Sequence, residues 1–168
     1  RANLGSLIGS PAYHPLLQNS PAIDAGSPTT PGTGGNACTV TDQRGAPRTG
    51  RCDIGAYEYT VPGPATSILA IDGAPQHRPP YSAFRPLKAA VLDNLGSPVD
   101  GSTVTFSAPA NGASGVFVDS GTRTTTAVTN EGGIATAATF TANGLTGSYT
   151  VTAVVGSVVT PANFSLTN

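Results

Sequence analysis

The sequence predicts an all-β protein, and its composition and two spacing patterns lead to this conclusion. The 168 residues include 21 Gly and 15 Pro, and only 10% are charged, against roughly 25% in an average soluble domain. Gly, Pro and β-branched residues disfavour helices, because they interrupt the helix or lose rotamer freedom in it. Apolar residues alternate with Thr and Ser over short segments, and Asn-Gly or Asp-Gly pairs separate these segments, as in strands joined by tight turns.

Charge and hydropathy exclude two classes of partner. The formal net charge is −1, which provides no field to hold nucleic acid or anionic lipid. No apolar run approaches the ~18 residues that would indicate a membrane span, so we expect no membrane insertion. The sequence has no Met, and we therefore expect it to be a processed product or a fragment.

The first unit is predicted to comprise residues 1–60, followed by a linker at 61–66 that contains Val61-Pro62-Gly63-Pro64. Prolines remove amide donors and resist regular pairing, which favours a linker there. The apolar runs before it are short and never extend into a long alternating strand. Sixty residues with so little core would be marginal as an independent domain, so this unit is interpreted as the end of something larger.

Cys38 and Cys52 lie close together in the first unit. A close pair in a turn-rich, charge-poor β-protein predicts a disulfide and an oxidising compartment. Two unpaired buried thiols are the alternative. A zinc site is disfavoured, because no Cys-x-x-Cys spacing or nearby His pair completes four ligands.

Residues 67–168 are predicted to form a β-sandwich of about seven strands. Period-two alternation indicates one buried and one solvated face. The alternating apolar sets are Leu87, Ala89 and Val91; Val104 and Phe106; Val116 and Val118; Tyr149, Val151, Ala153 and Val155; and Phe164 and Leu166. Turn signals of the Asn-Gly and Asp-Gly kind separate them, since Asn and Gly tolerate the positive φ that tight turns need.

Three motifs in 67–168 resemble bacterial Ig-like domains of the intimin and invasin type. They are Leu87–Phe106, which contains Asp93-Asn-Leu-Gly-Ser-Pro-Val-Asp-Gly101; Thr129-Asn-Glu-Gly-Gly-Ile-Ala135; and Gly147-Ser-Tyr-Thr-Val-Thr-Ala153. The second motif has Asn130 where the family usually has Asp. The resemblance implies a rod-like spacer that holds another module away from a cell surface, and it implies no catalysis.

The first unit, over about 10–59, resembles the carboxyl-terminal end of secreted right-handed parallel β-helix surface proteins. The motifs are His14–Gly26, Asp42–Arg48 and Cys52–Glu58. The resemblance implies the last coil and cap of a solenoid. An open coil exposes apolar residues and strand edges, so we expect docking to another chain or to a copy of this one. The candidate docking face is Leu4, Ile8, Leu16, Leu17 and Ile23.

Few side chains could carry chemistry. His14 and Asp24 could be combined with a serine into a triad, but no Gly-x-Ser-x-Gly elbow supports this, and His77 lies in a loop-like segment. Paired acids can act in glycosidases; those of the first unit are expected instead to bind its arginines and loop amides. These acids are Asp24, Asp42, Asp53 and Glu58, and the arginines are Arg44, Arg48 and Arg51. We therefore expect no catalytic residues.

Oxygen-rich turns of the second unit could in principle supply calcium ligands. They contain Asp93, Asn94, Asp100, Asp119, Asn130 and Glu131. No Asp-x-Asp-x-Asp-Gly run is present, and turn-forming Asx side chains account for these residues, so neither metal nor other cofactor is expected. Lys88 is predicted on the solvent face, which argues against an isopeptide link to Asn.

The sequence thus predicts a non-enzymatic structural and interaction fragment of a secreted bacterial surface protein, located at the cell surface. It would act as a spacer and docking module. One alternative is an adhesin or carbohydrate-binding module, for which Tyr13, Tyr57, Tyr59 and Tyr81 would have to cluster near the linker. A second alternative is the non-catalytic tail of a β-helix hydrolase.

Overall fold

The structure is a computed structural model that describes residues 13–156 and 158–168. These residues contain ten strands and no helix. Within them, therefore, no helix is long and apolar enough to cross a membrane. The prediction of an all-β protein is confirmed. The strands are β1 (Ser67–Asp72), β2 (Gln76–His77), β3 (Lys88–Leu92), β4 (Thr103–Ser107), β5 (Gly115–Phe117), β6 (Thr124–Val128), β7 (Ile134–Thr136), β8 (Phe140–Ala142), β9 (Ser148–Val155) and β10 (Ala162–Thr167).

The strands of the described segments form three sheets. One has the order β1-β3-β7, a second has the order β2-β10-β9-β4-β6, and β5 pairs with β8. Neighbours are antiparallel, except that β2 runs parallel to β10. Apolar side chains of the two larger sheets meet in one core. Residues from β1 onward are therefore a β-sandwich.

Gly73 lets the backbone pass from one larger sheet to the other. β1 ends at Asp72 in the three-stranded sheet, and β2 begins at Gln76 in the five-stranded sheet. Gly73 has a φ of +90°, and a Cβ there would collide with the carbonyl oxygen of Pro86. The crossing requires glycine, because any other residue would meet both a disfavoured φ and backbone atoms.

Phenylalanines fill the centre of the sandwich. Phe106, Phe117, Phe140 and Phe164 are each at most 1% exposed. The ring centres of Phe117 and Phe140 are 4.7 Å apart, and those of Phe106 and Phe164 are 5.9 Å apart. Burial of each ring contributes about 1.5–3 kcal/mol, so these rings link β4, β5, β8 and β10 into one core.

The alternation predicted for β4, β9 and β10 is confirmed, whereas β3 is buried on both faces and the alternation predicted around β5 is wrong. Val116 and Val118 are 42% and 62% exposed, and Phe117 between them is fully buried. Phe117 buries more apolar area than either valine. Because side chains of a strand alternate between its faces, placing Phe117 inside turns Val116 to the outside.

β3 is buried on both faces. Ala89 and Val91 point into the sandwich core, while Ala90 and Leu92 belong to a second apolar cluster on the opposite face. Tyr13 and Tyr57 of the preceding part of the sequence are members of that second cluster. Residues 13–60 therefore pack on the outer face of the three-stranded sheet.

Residues 13–60 form turns, bends and isolated bridges. An isolated bridge joins Thr41 and Pro47, and within 13–60 no run of paired residues long enough to be a strand is present. The β-helix coil expected from the sequence is thus not shown in this segment. Its Gly- and Pro-rich backbone turns too often for a ladder. Scattered backbone hydrogen bonds, such as those from Gly26 to Cys52 and from Ile54 to Ala22, hold it together with side-chain contacts.

Candidate functional site

Arg44 lies at the contact between residues 13–60 and the sandwich. Its Nη1 donates to the Leu95 carbonyl oxygen at 3.0 Å and to the Ser97 hydroxyl at 2.9 Å, both in the β3–β4 loop. Its Nη2 donates to the Glu58 carbonyl oxygen at 2.7 Å, and its Nε donates to Asp42 Oδ2 at 2.9 Å. One guanidinium group therefore binds both parts of the protein. We call Tyr13, Asp42, Arg44, Tyr57 and Ser97 the Arg44 junction.

Two tyrosine rings stack beside this guanidinium group. The ring centres of Tyr13 and Tyr57 are 5.6 Å apart with an interplanar angle of 29°. The guanidinium carbon of Arg44 is 3.8 Å from the centre of the Tyr57 ring and 5.8 Å from that of Tyr13. The Tyr13 hydroxyl donates a short hydrogen bond to the carbonyl oxygen of Gly96. The junction thus combines cation–π attraction with hydrogen bonds across the two parts.

An apolar cluster surrounds the stacked rings. Leu16 is 3% exposed and Ile23 is half-buried against the same cluster, which includes Ala90 and Leu92 of β3. Leu16, a member of the expected docking face, thus packs against the sandwich of its own molecule. Leu17 is half-buried, and Leu4 and Ile8 lie outside the described residues.

Three buried acids organise the loops of 13–60. Asp42 accepts hydrogen bonds from the backbone nitrogens of Arg44, Ala46 and Glu58, and it pairs with the Arg44 guanidinium at 2.8 Å. Burial by itself would raise the pKa of Asp42, but the hydrogen bonds from Glu58 and Arg44 outweigh burial and lower it. The carboxylate therefore stays ionised in this setting.

Asp53 and Glu58 also accept hydrogen bonds from backbone nitrogens of these loops. Asp53 accepts from the backbone nitrogen of Asp24 at 2.7 Å and from that of Tyr59. Glu58 accepts from the Asp53 nitrogen at 3.0 Å and from Arg48 Nη1 at 2.8 Å. Asp24 itself is exposed. The expectation that these acids bind arginines and loop amides agrees with these contacts.

The disulfide predicted from the sequence is present between Cys38 and Cys52. Cys52 is 1% exposed, and its carbonyl oxygen accepts a hydrogen bond from the Gly26 nitrogen at 2.8 Å. Asp53 follows directly in the sequence. The disulfide therefore connects the loop that ends at Cys38 to the segment that contains the buried Asp53.

A cleft of about 70 Å³ opens where the two parts meet. Its lining residues are Leu16, Gln18, Tyr57, Tyr59, Thr60, Pro62, Pro98, Asp100 and Glu131. Asp100 and Glu131 are exposed at its edge. The Tyr57 hydroxyl is buried, and within the described residues it has no hydrogen bond of normal length. Burial raises the pKa of Tyr57, and the nearby Ser97 hydroxyl opposes that rise.

The predicted chemistry-bearing residues are spread over the fold. His14 is exposed in the first part, and His77 is exposed in β2. Lys88 pairs with Asp72 at 3.2 Å, and both side chains are largely exposed. In residues 13–156 and 158–168, no cluster of three His, Cys, Asp or Glu side chains could hold a metal ion.

The oxygen-rich turn residues mostly bind the backbone of their own turns. Asp93 is buried and accepts from the nitrogens of Leu95 and Ser97, and also from that of Gly63, which precedes β1. Asn130 accepts from the nitrogens of Gly132 and Ile134. Asx-type turns therefore account for them. Asp93 in addition holds the backbone at Gly63 against the β3–β4 loop.

Three of the four tyrosines considered for sugar binding lie where residues 13–60 meet the sandwich. Tyr13 and Tyr57 are buried under Arg44, and Tyr59 lines the cleft. Tyr81 is 79% exposed and lies elsewhere, against Gly144. A flat platform of exposed rings is therefore not formed by these four side chains.

Sequence reasoning missed the role of Arg44 and of the β3–β4 loop. Arg44 was considered only together with the other arginines of the first unit. Residues of the β3–β4 loop were considered only as turn formers. A usable signal was present in the spacing Asp42-Gln43-Arg44, since an acid two residues before an arginine can pair with it in a turn. Its partners Leu95 and Ser97 are 51 and 53 residues away, and no local pattern identifies them.

No protein-family model matches the sequence, and no curated protein matches it. Among solved structures, the D00-D0 domain of intimin matches with a TM-score of 0.43 and 18% identity. The match covers 66% of this protein and 50% of that one, so this protein spans about half the length of the structure it matches.

Proposed function

We propose that the protein is a structural module of a secreted bacterial surface protein and serves as a rigid spacer. The observation that carries the proposal is the Arg44 junction. Arg44 binds Asp42 and Glu58 on one side and the β3–β4 loop on the other. A load applied to residues 13–60 would therefore pass to the sandwich through buried contacts. The proposal includes no catalytic step.

The disulfide supports an extracellular setting. Disulfides persist in oxidising compartments and are rare in reducing ones, and Cys38 is bonded to Cys52. The motif resemblances described above support a bacterial cell surface. Fractionation of cells that make the natural protein, with an antibody against the sandwich, would test this location; recovery in the cytosol alone would refute it.

Single-molecule pulling tests the spacer role. The 168-residue protein is held at its two ends and extended, with Arg44→Gln as the variant and Arg51→Gln as the control. We expect 13–60 and the sandwich to unfold together in the original protein and in the control, and separately in Arg44→Gln. Early, independent unfolding of residues 13–60 in the original protein would contradict a rigid spacer.

We also propose that residues 13–60 dock on another protein or on a copy of this one. Val40 and Ile54 support this, since they are 59% and 58% exposed on that segment, and exposed apolar groups favour association. Sedimentation over a range of concentrations tests self-association, with Val40→Thr/Ile54→Thr as the variant and Val159→Thr as the control. A monomer at every concentration would leave only a different protein as the partner, to be sought by crosslinking on the parent cell.

The cleft favours a second candidate function, carbohydrate binding. Tyr59 provides an aromatic surface beside the carboxylates of Asp100 and Glu131, and such combinations hold sugar rings and their hydroxyl groups. A glycan array probed with the folded protein tests this, with Asp100→Asn as the variant and Asp119→Asn as the control. Binding that both variants retain equally would exclude the cleft as the sugar site.

A further inference from the structure

We propose that Asn111 is a site of spontaneous deamidation, and that the fold protects the other Asn-Gly pair of this protein, Asn143-Gly144, from the same reaction. The sequence contains both pairs, and by sequence alone they are chemically alike. The difference lies in what holds each asparagine side chain.

The reaction needs only water. The backbone nitrogen of the following glycine loses its proton to solvent base and attacks Cγ of the asparagine. A new bond from that nitrogen to Cγ closes a five-membered succinimide, the bond between Cγ and Nδ2 breaks, and Nδ2 leaves as ammonia. Water then opens the ring at either carbonyl, which leaves aspartate or isoaspartate. A following glycine favours ring closure because it has no Cβ and reaches more backbone conformations.

Asn111 and Gly112 meet these requirements. Both are exposed in a bend at 110–113. Gly112 has a φ of +76°, and a Cβ placed there would have open space around it. Across the described residues, neither the Asn111 amide group nor the Gly112 backbone nitrogen makes a hydrogen bond. The Asn111 amide can therefore turn toward the nitrogen that attacks it.

Asn143 is held in place by four hydrogen bonds. Its Oδ1 accepts from the Ser114 nitrogen at 3.3 Å, the Leu145 nitrogen at 3.0 Å and Asn168 Nδ2 at 3.0 Å. Its Nδ2 donates to the Gly112 carbonyl oxygen at 2.9 Å. Gly144, which would supply the attacking nitrogen, lies against the Tyr81 hydroxyl. Rotation of the Asn143 amide into the reactive position must break these contacts.

Modification of Asn111 would change both the net charge of the protein and a contact outside the bend at 110–113. It changes the formal net charge from −1 to −2, because one neutral amide becomes one carboxylate. An isoaspartate also adds a methylene to the backbone next to Gly112, whose carbonyl oxygen binds Asn143. The modified bend would therefore loosen one of the contacts that protect the second site.

Peptide mapping by mass spectrometry tests the proposal. The pure protein is incubated at mildly alkaline pH, folded in buffer and unfolded in urea. The aspartate and isoaspartate forms of each site are measured over time. Each hydrogen bond slows opening by roughly two- to tenfold, so in the folded protein we expect Asn111 to convert at least about tenfold faster than Asn143. In urea the two sites should convert at similar rates.

Two variants sharpen the test. Asn111→Gln should remove the fast product and leave Asn143 as slow as before. Asn168→Ala deletes one of the hydrogen bonds to Asn143 and should accelerate conversion at Asn143, with circular dichroism confirming that the sandwich is retained. Equal rates at the two sites in the folded protein would overturn the proposal, as would an intact Asn111 over the period in which the urea sample converts.

Discussion

The guanidinium carbon of Arg44 lies 3.8 Å from the centre of the Tyr57 ring. The same group reaches the Ser97 hydroxyl in the sandwich and Asp42 in the preceding segment. Arginine offers a planar face for stacking together with a fixed fork of donors, and lysine offers neither. Arg44 therefore joins residues 13–60 to the sandwich by stacking, hydrogen bonds and an ion pair, beside the apolar cluster that includes Leu16 and Leu92.

Replacing Arg44 should detach the two parts. Arg44→Gln leaves the Asp42 carboxylate buried without its cation, which typically costs about 3–5 kcal/mol in free energy of unfolding. Urea unfolding followed by circular dichroism measures this. Arg51→Gln serves as the control, because Arg51 is exposed and its Nε donates to the Gly26 carbonyl oxygen, away from the junction. Equal stabilities for the two variants would argue against the junction.

Removal of the disulfide should destabilise residues 13–60 in particular. Cys38 and Cys52 are separated by 14 positions, and closing a loop of about this length contributes on the order of 3 kcal/mol through loop-closure entropy. In Cys38→Ser/Cys52→Ser we expect amide exchange to increase in 13–60 and to stay unchanged in β4 and β9. Hydrogen exchange with mass spectrometry resolves the two regions. Equally faster amide exchange in 13–60, β4 and β9 would contradict a specific effect on residues 13–60.

Acidification should weaken the Arg44 junction through Asp42. Burial alone would raise the pKa of Asp42, but the bonds from Glu58 and Arg44 lower it. Because the folded pKa lies below the unfolded value of about 3.9, ionised Asp42 stabilises the fold above that pH. The contribution is lost as the pH falls through the folded pKa.

The measurement is the free energy of unfolding as a function of pH from neutral to acid. Asp42→Asn should be less stable at neutral pH and should lose less stability on acidification than the original protein. Thr160→Ala, an exposed change without a titrating group, should keep the original slope. An Asp42→Asn curve parallel to the original would show that Asp42 does not contribute to the acid response.

Truncation of a buried ring should lower the free energy of unfolding far more than truncation of an exposed side chain. Phe106 is fully buried and Val159 is 93% exposed. Phe106→Ala removes a ring from the core and leaves a cavity, at about 3–5 kcal/mol, whereas Val159→Ala should stay within about 0.5 kcal/mol. Thermal and urea unfolding of both variants checks this. A small effect of Phe106→Ala would mean that β4 and β10 are not held by this core.

Strands with strict alternation could be predicted from the residues themselves. In β4 and β9, apolar residues alternate with Thr, and the buried face follows from that pattern. β6 was not predicted, because Thr124, Thr125 and Thr126 carry similar side chains on both faces and give no alternation. Pairing with β4 buries Thr125, and its hydroxyl then binds Asp119. That outcome depends on a neighbouring strand rather than on the segment.

The first unit contains one feature that local sequence patterns predict and others that they do not. The pairing of Cys38 with Cys52 was predictable, because the sequence contains only two cysteines. The burial of Leu16 and of the outer face of β3 was not predictable. Apolar residues in a coil-like segment can face a partner protein or their own domain, and only the folded path of 13–60 against β3 decides between them.

By itself, the sequence determined an all-β protein, the alternating faces of β4, β9 and β10, and its turn positions, and it predicted the disulfide. These follow from local chemistry, since backbone preferences and side-chain alternation act within a few residues. Only the tertiary structure decided that Arg44 joins residues 13–60 to the β3–β4 loop, that Phe117 rather than the valines on either side of it enters the core, and that Asn143 is held while Asn111 is free to react. Each of these depends on contacts between residues far apart in the sequence, where the energy of one packing arrangement over another outweighs any local preference.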